Sequence, residues 1–370
     1  MKKSLRFAVI GAGNGGMAMA AHIAMKGYYV NLYNRTFDKI KMIKETGGIY
    51  LIGLEEGFGK LNLVTDDIRQ AIEDVDIIMV TLPANAHKEI AEKMAPYLSE
   101  KQIVILNPGR TFGALEFLNV CKKYGLRDII IAETQTFIYA CRIIDPVTVK
   151  IFGIKENVPL ATIPANFSSF VVSMISDIYP GMRAVSSVLD TSLNNIGAVF
   201  HPAPVILNCS RIELKQEFEY YIEGITPAIA KILEDIDRER IKVARRLGIN
   251  VISAKEWLEE SYGSQGTNLY EAIQNTGCYY GIKAPPVINT RYIFEDVPTG
   301  LVPIFDLGRF IGIKTPLIES LINFASSMYG VDFYSTGRNL KNLGLEGLNV
   351  DEITQIVLYG NVIKEEEVAI

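Results

Sequence analysis

The sequence has few of the side chains that most often carry metal or redox chemistry. Its 370 residues include three histidines, four cysteines and one tryptophan. The cysteines are scattered and form no Cys-x-x-Cys pair, which argues against a zinc site and against a disulfide framework. They are Cys121, Cys141, Cys209 and Cys278. We therefore expect reduced thiols, a cytoplasmic location and no bound metal.

Long apolar runs and an excess of positive charge are also lacking. No stretch reaches the roughly twenty apolar residues of a membrane-spanning helix, so we expect no membrane partner. With 37 Lys and Arg against 42 Asp and Glu, the net charge of −5 gives no reason to expect a nucleic-acid partner. Lys2 and Lys3 precede an apolar stretch in the manner of a signal peptide. The glycines within that stretch have a better explanation, and we expect no export.

That N-terminal stretch contains a glycine-rich turn between two regular elements. An apolar run at 7–10 predicts a buried strand, and an Ala- and Met-rich segment ended by Gly27 predicts a helix. Glycines between them allow a tight turn, close approach of backbone to a pyrophosphate, and close packing of helix on strand. A glycine-rich turn in some other strand–helix–strand unit is the alternative. We predict a dinucleotide site at Gly11, Gly13, Asn14, Gly15 and Gly16.

The end of the second predicted strand indicates which dinucleotide binds. A site for NAD has Asp or Glu there, about twenty residues past the glycines, to hold the ribose 2′-hydroxyl. This chain has Asn34, Arg35 and Thr36, and a guanidinium with a hydroxyl suits a 2′-phosphate. If Arg35 is only a solvated side chain, the pocket accepts NAD. We therefore predict NADP as the cofactor, with NAD as the alternative.

The first half of the chain alternates short apolar runs with helical patterns, which is typical of a doubly wound α/β sheet. Further strands are predicted at 76–83, 103–107 and 129–133, and a β-hairpin at 48–53 and 60–64. Because the carboxyl ends of such strands line the cofactor crevice, residues there are candidates for nicotinamide and ribose contacts. These candidates are Leu82, Pro83, Asn107, Gly109, Glu133 and Thr136.

In the second half the patterns become long and helical. Helices are predicted at 189–208, 217–247, 254–262 and 316–329, near Asn339, and at 351–356. The sequence therefore predicts an N-terminal Rossmann-type domain over 1–183 and a mostly α-helical domain over 184–370. The helical domain offers apolar surface for self-association, which would allow a homodimer.

The histidines are the first candidates for proton transfer. His201 precedes Pro202 inside an otherwise helical pattern, and such a proline kinks a helix and can aim a side chain into a cleft. His22 lies in the helix behind the glycines, where packing or solvent exposure explains it. His87 opens the helix after Pro83 and is interpreted as a bystander near the nicotinamide ribose. His201 is therefore the predicted catalytic histidine.

The segment 291–303 is a second candidate for chemistry. It brings Arg291, Glu295 and Asp296 together before a Pro and Gly break. Segments of this kind are commonly exposed loops, but a nicotinamide enzyme needs a proton donor and a cation for a substrate carboxylate. A hydrogen bond between His201 and Asp296 would fix the imidazole tautomer. Arg291 would bind a carboxylate through two parallel hydrogen bonds.

Six blocks of sequence carry a family resemblance. They are 11–16 (GAGNGG), 106–117 (LNPGRTFGALEF), 133–142 (ETQTFIYACR), 195–202, 267–273 and 291–303. Through them the chain resembles the opine dehydrogenase family (octopine, nopaline and carboxyethyl-amino-acid dehydrogenases) over nearly its whole length. The resemblance implies a Rossmann domain and a helical domain with substrate between them. It also implies reductive condensation of an α-keto acid, with pyruvate as the default, with the amino group of an amino acid.

The resemblance assigns roles by position. His201 and Asp296 match the family's acid/base pair, and Arg291 matches its substrate-carboxylate arginine. The implied mechanism has His201 polarise the keto carbonyl, assist loss of water and, in reverse, accept the proton of the secondary amine. Asp296 stabilises the imidazolium.

The chain departs from the family at Gly197, one helical turn before His201, where some relatives have Asn. Asn194 or Asn195 is therefore the candidate for the substrate contact of that asparagine.

Two other functions stay open on the sequence. One is a reductase of the ketopantoate or glycerol-3-phosphate dehydrogenase type, which converts a ketone to an alcohol without an amine. The other is a nicotinamide-binding module with no turnover. Cofactor oxidation that does not depend on an amine would favour the first, and binding without activity would favour the second.

Overall fold

The structure is a computed structural model that describes residues 5–363, so Lys2 and Lys3 lie outside the described residues. The chain forms two compact units. Within the described range the first unit holds 5–109, 113–191 and 348–363, and the second holds 110–112 and 192–347. The predicted domain boundary at residue 183 stays a prediction. The two compact units are not separated by one boundary, because 110–112 belongs to the second unit and 348–363 to the first.

The described strands form two sheets in the first unit. They are β1 (Arg6–Ile10), β2 (Tyr29–Tyr33), β3 (Gly48–Gly53), β4 (Gly57–Lys60), β5 (Leu63–Thr65), β6 (Ile77–Val80), β7 (Ile103–Leu106), β8 (Ile130–Thr134), β9 (Tyr139–Asp145), β10 (Thr148–Ile154), β11 (Val158–Ile163) and β12 (Met182–Ala184). The larger sheet has the order β12-β11-β8-β7-β6-β1-β2-β5, and the smaller has the order β4-β3-β10-β9.

The larger sheet is mostly parallel. All neighbours from β5 to β8 run parallel, whereas β11 is antiparallel to β8. Strands β6 and β7 are buried along their whole length, as short apolar runs predict for strands in the middle of a parallel sheet. The predicted α/β class with a Rossmann-type domain is confirmed.

The predicted hairpin is right in its first strand and wrong in its second. β3 pairs antiparallel with β4 at 57–60, whereas β5 pairs parallel with β2 in the larger sheet. Asn62 separates the two: its N–H donates to the Val30 carbonyl oxygen, and its side chain donates to Asn31 Oδ1 at 2.9 Å. Asn62 thus bonds to β2 of the larger sheet and not to the hairpin partner β3. The apolar alternation at 60–64 therefore covers the ends of two strands that belong to different sheets.

The first unit also contains the helices from residue 14 to residue 175. They are α1 (Asn14–Met25), α2 (Lys41–Thr46), α3 (Ile68–Ile72), α4 (His87–Met94), α5 (Gly113–Lys123) and α6 (Ser168–Ile175). Helix α7 (Val188–Leu193) begins in the first unit and ends in the second. Helix α1 contacts β1 and β2 as well as all four strands of the smaller sheet. Its residues from Gly16 to Ile23 are all buried. An Ala- and Met-rich helix without a polar face is expected between two sheets.

The second unit is helical, as predicted. Its helices are α8 (Gly197–Phe200), α9 (Pro202–Leu207), α10 (Cys209–Glu213), α11 (Pro227–Arg246), α12 (Ala254–Tyr262), α13 (Leu269–Gln274), α14 (Arg291–Phe294), α15 (Val302–Phe310), α16 (Pro316–Tyr329) and α17 (Phe333–Thr336). None of the helices in the described range combines the length and apolar character needed to cross a bilayer. Nor do the described residues include a cluster of His, Cys, Asp or Glu suited to a metal ion.

Two of the predicted long helices are wrong in extent. The stretch 189–208 is divided among α7, α8 and α9. The stretch 217–247 is helical only from Pro227, because Thr226 caps the helix by accepting a hydrogen bond from Ile229 N–H. Before that point, Glu219 bridges to Lys283 instead. The helix predicted near Asn339 is the short α17, which ends at Thr336, and Asn339 itself lies in the loop that follows.

The last helix, α18 (Val350–Tyr359), belongs to the first unit. It contacts β11 and the short turn that follows it, and its buried residues include Ile353, Ile356 and Val357. The predicted helix at 351–356 is therefore present, but its apolar face covers the sheet of the first unit.

Candidate active site

The predicted phosphate-binding turn joins β1 to α1. Gly11 has φ +108°, a backbone conformation that favours glycine. A Cβ at Gly16 would lie 1.8 Å from the Gly11 carbonyl oxygen, so only glycine lets the helix approach the turn this closely. A Cβ at Gly13 would meet no protein atom within 4 Å, and no side chain caps the α1 N-terminus. The first N–H groups of α1 thus have room for an anion beside them.

Two predicted residues shape this turn through the protein itself. Asn14 Oδ1 accepts a hydrogen bond of 2.8 Å from Ile143 N–H, which ties the start of α1 to β9. A Cβ at Gly15 would lie 2.4 Å from the Phe137 ring. Gly15 therefore lets that ring pack against the turn.

The end of β2 supports the turn and carries the cation predicted to select NADP. Asn34 Oδ1 accepts from Ala12 N–H at 3.3 Å, and the Asn34 amide nitrogen donates to the Thr36 carbonyl oxygen at 2.9 Å. Arg35 is largely exposed and pairs with Glu89 Oε1 at 3.1 Å. Sequence reasoning missed this carboxylate, which lies on α4 and has no local signal near Arg35.

The residues after β6 and β7 lie at the carboxyl ends of the parallel strands. Leu82 is half-buried against the turn, with its Cδ2 atom 2.8 Å from where a Cβ of Gly11 would be, and Pro83 is exposed. Asn107 is buried and donates 2.8 Å to the Ile105 carbonyl oxygen. Among the described residues, Asn107 Oδ1 has no hydrogen-bond partner.

Glu133, at the end of β8, is fully buried. Its carboxylate accepts 2.8 Å from Ala114 N–H at the start of α5 and 2.6 Å from the Thr191 hydroxyl. A Cβ at Gly109 would lie 2.4 Å from Glu133 Oε2, so a glycine there leaves room for the carboxylate. Glu133 thus holds the N-terminus of α5, and its contact with a cofactor stays a prediction.

These residues fit a dinucleotide on two observations. The room beside Gly13 at an uncapped helix N-terminus suits a pyrophosphate. The buried Asn107 Oδ1 needs a donor, and a ribose hydroxyl is one. In the loop after β8, the Thr136 hydroxyl accepts 2.7 Å from Lys155 Nζ, which adds a cation to that loop.

In the second unit, His201 stands at the break between α8 and α9. Pro202 opens α9, and the kink predicted from this proline is confirmed. His201 Nδ1 lies 2.8 Å from Asp296 Oδ2. The imidazole is 14% exposed and the carboxylate 0% exposed. Because the carboxylate holds Nδ1, Nε2 is the ring nitrogen left for proton exchange.

The segment that carries Asp296 is buried, so the alternative of an exposed loop is wrong. Glu295 is 3% and Asp296 0% exposed. They follow α14 and precede a π-type turn at Val297–Leu301, which continues into α15. Such wide turns are frequent at functional sites, because the extra residue re-aims its neighbours.

Arg291 and Tyr292 are close neighbours of the imidazole. The Tyr292 ring stacks on the His201 ring with centroids 4.3 Å apart and planes 19° from parallel. The Arg291 guanidinium lies 5.8 Å from the centroid of the same tyrosine ring and is exposed. Within residues 5–363 no carboxylate pairs with Arg291. This exposed cation is thus available to an anionic ligand near the imidazole.

Arg110 is a charged neighbour of the pair that sequence reasoning missed. Its Nε donates 3.2 Å to Glu295 Oε1, and its Nη1 lies 3.6 Å from Asp296 Oδ1. Burial raises the pKa of Asp296, but Arg110, His201 and Arg291 together lower it more, so the pKa ends below its ordinary value. The carboxylate therefore stays ionised near neutral pH.

The asparagines proposed for substrate contact are both engaged within the second unit. Asn194 Oδ1 accepts 3.1 Å from Ile252 N–H. Asn195 is 2% exposed and donates 3.1 Å to the Thr111 hydroxyl. Their roles toward substrate stay predictions. A Cβ at Gly197 would lie 2.4 Å from Arg110 Nη1, so the guanidinium fills the space beside this glycine.

The other two histidines are packed in the first unit. His22 is 2% exposed and bonds Tyr139 OH through Nδ1 at 2.7 Å. Burial lowers the pKa of His22, with Glu55 acting in the opposite direction. His87 is fully buried, with Nε2 3.3 Å from the Leu82 carbonyl oxygen. Both therefore serve packing, as interpreted for His22.

Comparison with known proteins agrees with this geometry. Residues 184–329 match the family described as NAD/NADP octopine/nopaline dehydrogenase, alpha-helical domain. Residues 6–111 match the NAD binding domain of 6-phosphogluconate dehydrogenase. An opine dehydrogenase of Arthrobacter sp. (strain 1C) is 42% identical over 358 residues, which cover 96% of this chain and 100% of that protein.

Solved structures share the fold over nearly the whole chain. Octopine dehydrogenase with NADH and L-arginine has 22% identity and a TM-score of 0.81, covering 96% of this chain and 98% of that one. Yersinopine dehydrogenase with NADP+ has 16% identity and a TM-score of 0.76, covering 93% and 98%. The predicted NAD(P)-binding domain and the family resemblance are confirmed. The chain belongs to the opine dehydrogenase family.

Proposed function

We propose that this protein is an NAD(P)H-dependent opine dehydrogenase that condenses an α-keto acid with the amino group of an amino acid. Pyruvate is the first keto acid to test. The observation that carries the proposal is the 2.8 Å bond between His201 Nδ1 and the buried Asp296 carboxylate, in a chain of this family. A carboxylate-backed imidazole beside an exposed arginine supplies the proton carrier and the anion receptor that this chemistry needs.

Arg291 binds the keto acid in the proposed reaction. Its exposed guanidinium can hold a carboxylate through two parallel hydrogen bonds. The Tyr292 ring is a neighbour of both groups, because its centroid lies 4.3 Å from the His201 ring centroid and 5.8 Å from the Arg291 guanidinium. A carboxylate on Arg291 would therefore bring the keto carbon near the imidazole.

His201 carries the protons. The amino group attacks the keto carbon while the imidazolium Nε2–H protonates the keto oxygen, and Nε2 then takes a proton from the newly bonded nitrogen. The imidazolium gives this proton to the hydroxyl group, which leaves as water when the protonated imine forms. When bound, the reduced nicotinamide supplies the hydride that converts the imine carbon to the secondary amine. In reverse, neutral Nε2 accepts the proton of that amine, and Asp296 balances the charge on the imidazolium.

The first unit would hold NADP through its backbone and two side chains. The α1 N-terminus beside Gly13 suits the pyrophosphate, and Arg35 with Thr36 suits the 2′-phosphate. Glu89 now pairs with Arg35, but it also accepts 2.7 Å from Lys93 Nζ. Glu89 therefore keeps a cation when Arg35 turns to a phosphate, which supports NADP over NAD.

The test is NADPH oxidation by the purified protein with α-keto acids, each with and without single amino acids, followed by mass spectrometry of the product. We expect oxidation only when both substrates are present, and a product with the mass of the secondary amine. Oxidation with the keto acid alone would indicate a ketone reductase instead. No oxidation over the whole panel would indicate a binding module.

A cytoplasmic homodimer is the further proposal for this enzyme. All four cysteines are free thiols, as expected for a reducing compartment. The second unit exposes large apolar side chains, among them Leu214 at 71% and Phe324 at 60%. Sedimentation of the purified protein tests the dimer, and a monomer at all concentrations would contradict it.

A further inference from the structure

Arg110 reaches the acid/base pair from a short segment that the second unit holds tightly. Residues 110–112 lie in the second unit although they follow Gly109 of the first in sequence. The Thr111 hydroxyl donates to the Ser192 carbonyl oxygen at 3.2 Å and accepts from Asn195 at 3.1 Å. Thr111 N–H donates to the Thr299 carbonyl oxygen at 3.1 Å.

The backbone of this segment is held in a costly conformation. Arg110 and Phe112 both have φ +60°, a backbone conformation that residues other than glycine rarely adopt. Such conformations persist where the surrounding structure fixes them, and they concentrate at functional sites. The bonds to Thr111 supply that fixation, so the direction of the Arg110 side chain is set by its own loop.

The space into which Arg110 points is kept open by glycine. A Cβ at Gly197 would lie 2.4 Å from Arg110 Nη1 and 3.0 Å from Asp296 Oδ1. No alanine could stand there without pushing the guanidinium or the carboxylate aside. Gly197 and Arg110 thus form a matched pair on the side of Asp296 away from His201.

Arg110 supplies the positive charge beside Oδ1, the Asp296 oxygen that His201 does not bind. Oδ2 binds His201 Nδ1, whereas Oδ1 has no hydrogen-bond partner among residues 5–363. Arg110 Nη1, at 3.6 Å, is the cation beside Oδ1. A fully buried carboxylate that loses such a cation takes up a proton more easily, and a neutral carboxyl no longer balances an imidazolium.

We propose that Arg110 is a positioning residue of the reaction: with Gly197, it keeps the Asp296 carboxylate charged and aimed at His201 Nδ1. The proposal rests on the proposed function for its activity readout. Arg110 acts through Asp296 and takes no part in proton transfer itself. Glu295, which accepts from Arg110 Nε, fixes the other edge of the guanidinium.

The charged and titratable groups around the pair define what a pH profile reports. Arg110 pairs with Glu295 and lies beside Asp296 Oδ1, and the Arg291 guanidinium lies 5.8 Å from the centroid of the Tyr292 ring that stacks on His201. Tyr220 OH donates 2.7 Å to the His201 carbonyl oxygen, and burial raises the pKa of Tyr220 well above its ordinary value. Arg110 is thus the cation whose removal most directly favours protonation of the His201–Asp296 pair.

The test compares Arg110→Met, Arg110→Lys and the wild-type enzyme in the assay above, with the amino acid that the wild type uses. Arg110→Met should lower kcat about 10- to 100-fold with the KM of the keto acid within about threefold, since a general acid/base contributes about 10²- to 10⁴-fold and is weakened here, not removed. The acid limb of kcat/KM, which reports the pair as a whole, should move to higher pH. Arg110→Lys should return the limb toward its wild-type position.

Arg309→Met is the matched control. Arg309 also pairs with a carboxylate of the second unit, Asp306, at 2.8 Å, and its side chain is 63% exposed. We expect wild-type kcat and an unchanged pH profile for this variant. An effect equal to that of Arg110→Met would mean that loss of any ion pair in the unit impairs the enzyme, which would overturn the proposal.

A second readout does not require turnover. The chain has three histidines, so ¹⁵N-histidine labelling gives a spectrum simple enough to assign by single substitutions. The proton on His201 Nδ1, bonded to Asp296, should give a downfield resonance that persists in the wild type and Arg110→Lys and is lost in Arg110→Met. Wild-type kcat, pH profile and Nδ1 resonance in Arg110→Met would contradict the proposal.

Gly197→Ala covers the case in which Arg110→Met does not fold. The added Cβ should displace the guanidinium, lower kcat and move the acid limb of kcat/KM to higher pH, as in Arg110→Met. The Kd of NADPH should stay at the wild-type value. An unchanged limb in a folded Gly197→Ala would count against the proposal. If the wild type itself shows no opine synthesis, the proposed function fails, and the Nδ1 resonance alone decides the role of Arg110.

Discussion

The candidate sites of the two units are built from different groups, backbone in the first unit and charged side chains in the second. In the first unit the candidate nucleotide site consists of backbone: an uncapped helix N-terminus, a Gly13 with open space beside it, and a Gly16 packed on the Gly11 carbonyl. In the second unit the site is made of charge: a buried carboxylate with an imidazole on one oxygen and a guanidinium near the other. Binding a nucleotide thus depends on shape, whereas moving a proton depends on side chains that are costly to bury.

This difference separates binding from catalysis. A change in the second unit should reduce turnover and leave the nucleotide affinity intact. A change at the glycine turn should do the reverse. Each of the following variants tests one side of that separation, and any variant that affects both equally would break it.

The largest effect is expected for His201→Ala. Removal of the imidazole eliminates proton transfer, so kcat should fall at least about 100-fold. The Kd of NADPH, measured from quenching of protein fluorescence or from energy transfer to the reduced nicotinamide, should stay at the wild-type value. Loss of NADPH binding would instead make His201 a structural residue.

Arg291→Met removes the proposed carboxylate receptor. A hydrogen bond to a charged group contributes about 1.5–3 kcal/mol, so kcat/KM for the keto acid should fall about 10- to 100-fold. Steady-state kinetics with varied keto acid measures this loss. Arg309→Met, an arginine elsewhere in the same unit, is the control, and an equal loss there would remove Arg291 from the substrate site.

Gly13→Ala tests the nucleotide site without disturbing the fold. No protein atom lies within 4 Å of the added methyl group, so the melting temperature should stay at the wild-type value. The methyl group would stand where the pyrophosphate approaches, and the Kd of NADPH should rise about tenfold, or about 1.4 kcal/mol. Gly153→Ala, with equal room around its Cβ in the same unit, is the control. Unchanged affinity in Gly13→Ala would place the nucleotide elsewhere.

The smallest effect is expected for Arg35→Ala. The side chain is 72% exposed, so its contact with a phosphate is screened by solvent. We expect the preference for NADPH over NADH to fall by a few-fold to about tenfold, with the KM of NADH unchanged. Equal losses with both cofactors would assign Arg35 to general support of the turn.

The same contrast explains which features the sequence could predict. The glycine turn is local: strand, turn and helix follow one another within β1 and α1, so spacing and composition were enough. The Pro202 kink was predictable for the same reason, because proline acts on its own helix. The pairing of His201 with Asp296 was proposed from the residue types and strengthened by the family resemblance, and the structure confirms the contact.

The position of Arg110 beside Asp296 and the boundaries of the helices could not be predicted from local sequence patterns. Arg110 lies in a turn between β7 and α5, and its partner Glu295 is 185 positions further along the chain, followed by its other partner, Asp296. The apolar pattern at 189–208 continues through breaks that tertiary contacts impose, such as the Thr111–Ser192 bond. One start was readable: Thr226 before Pro227 is a helix-initiating pair, and it marks the true beginning of α11.

The C-terminal helix shows a further limit of periodicity. The pattern at 351–356 correctly predicts a helix, but an apolar face does not say which core it joins. Contacts of α18 with β11 place it in the first unit. Only the tertiary structure contains that information.

The most direct test of the central claim is the fate of label from a deuterated cofactor. The enzyme is incubated with pyruvate, the ¹⁵N-labelled amino acid it uses, and NADPH carrying deuterium at the transferable position, and the product is analysed by mass spectrometry. Reduction of an imine predicts one secondary amine that contains both the deuterium, on the former keto carbon, and the ¹⁵N. Deuterated lactate without nitrogen would contradict it.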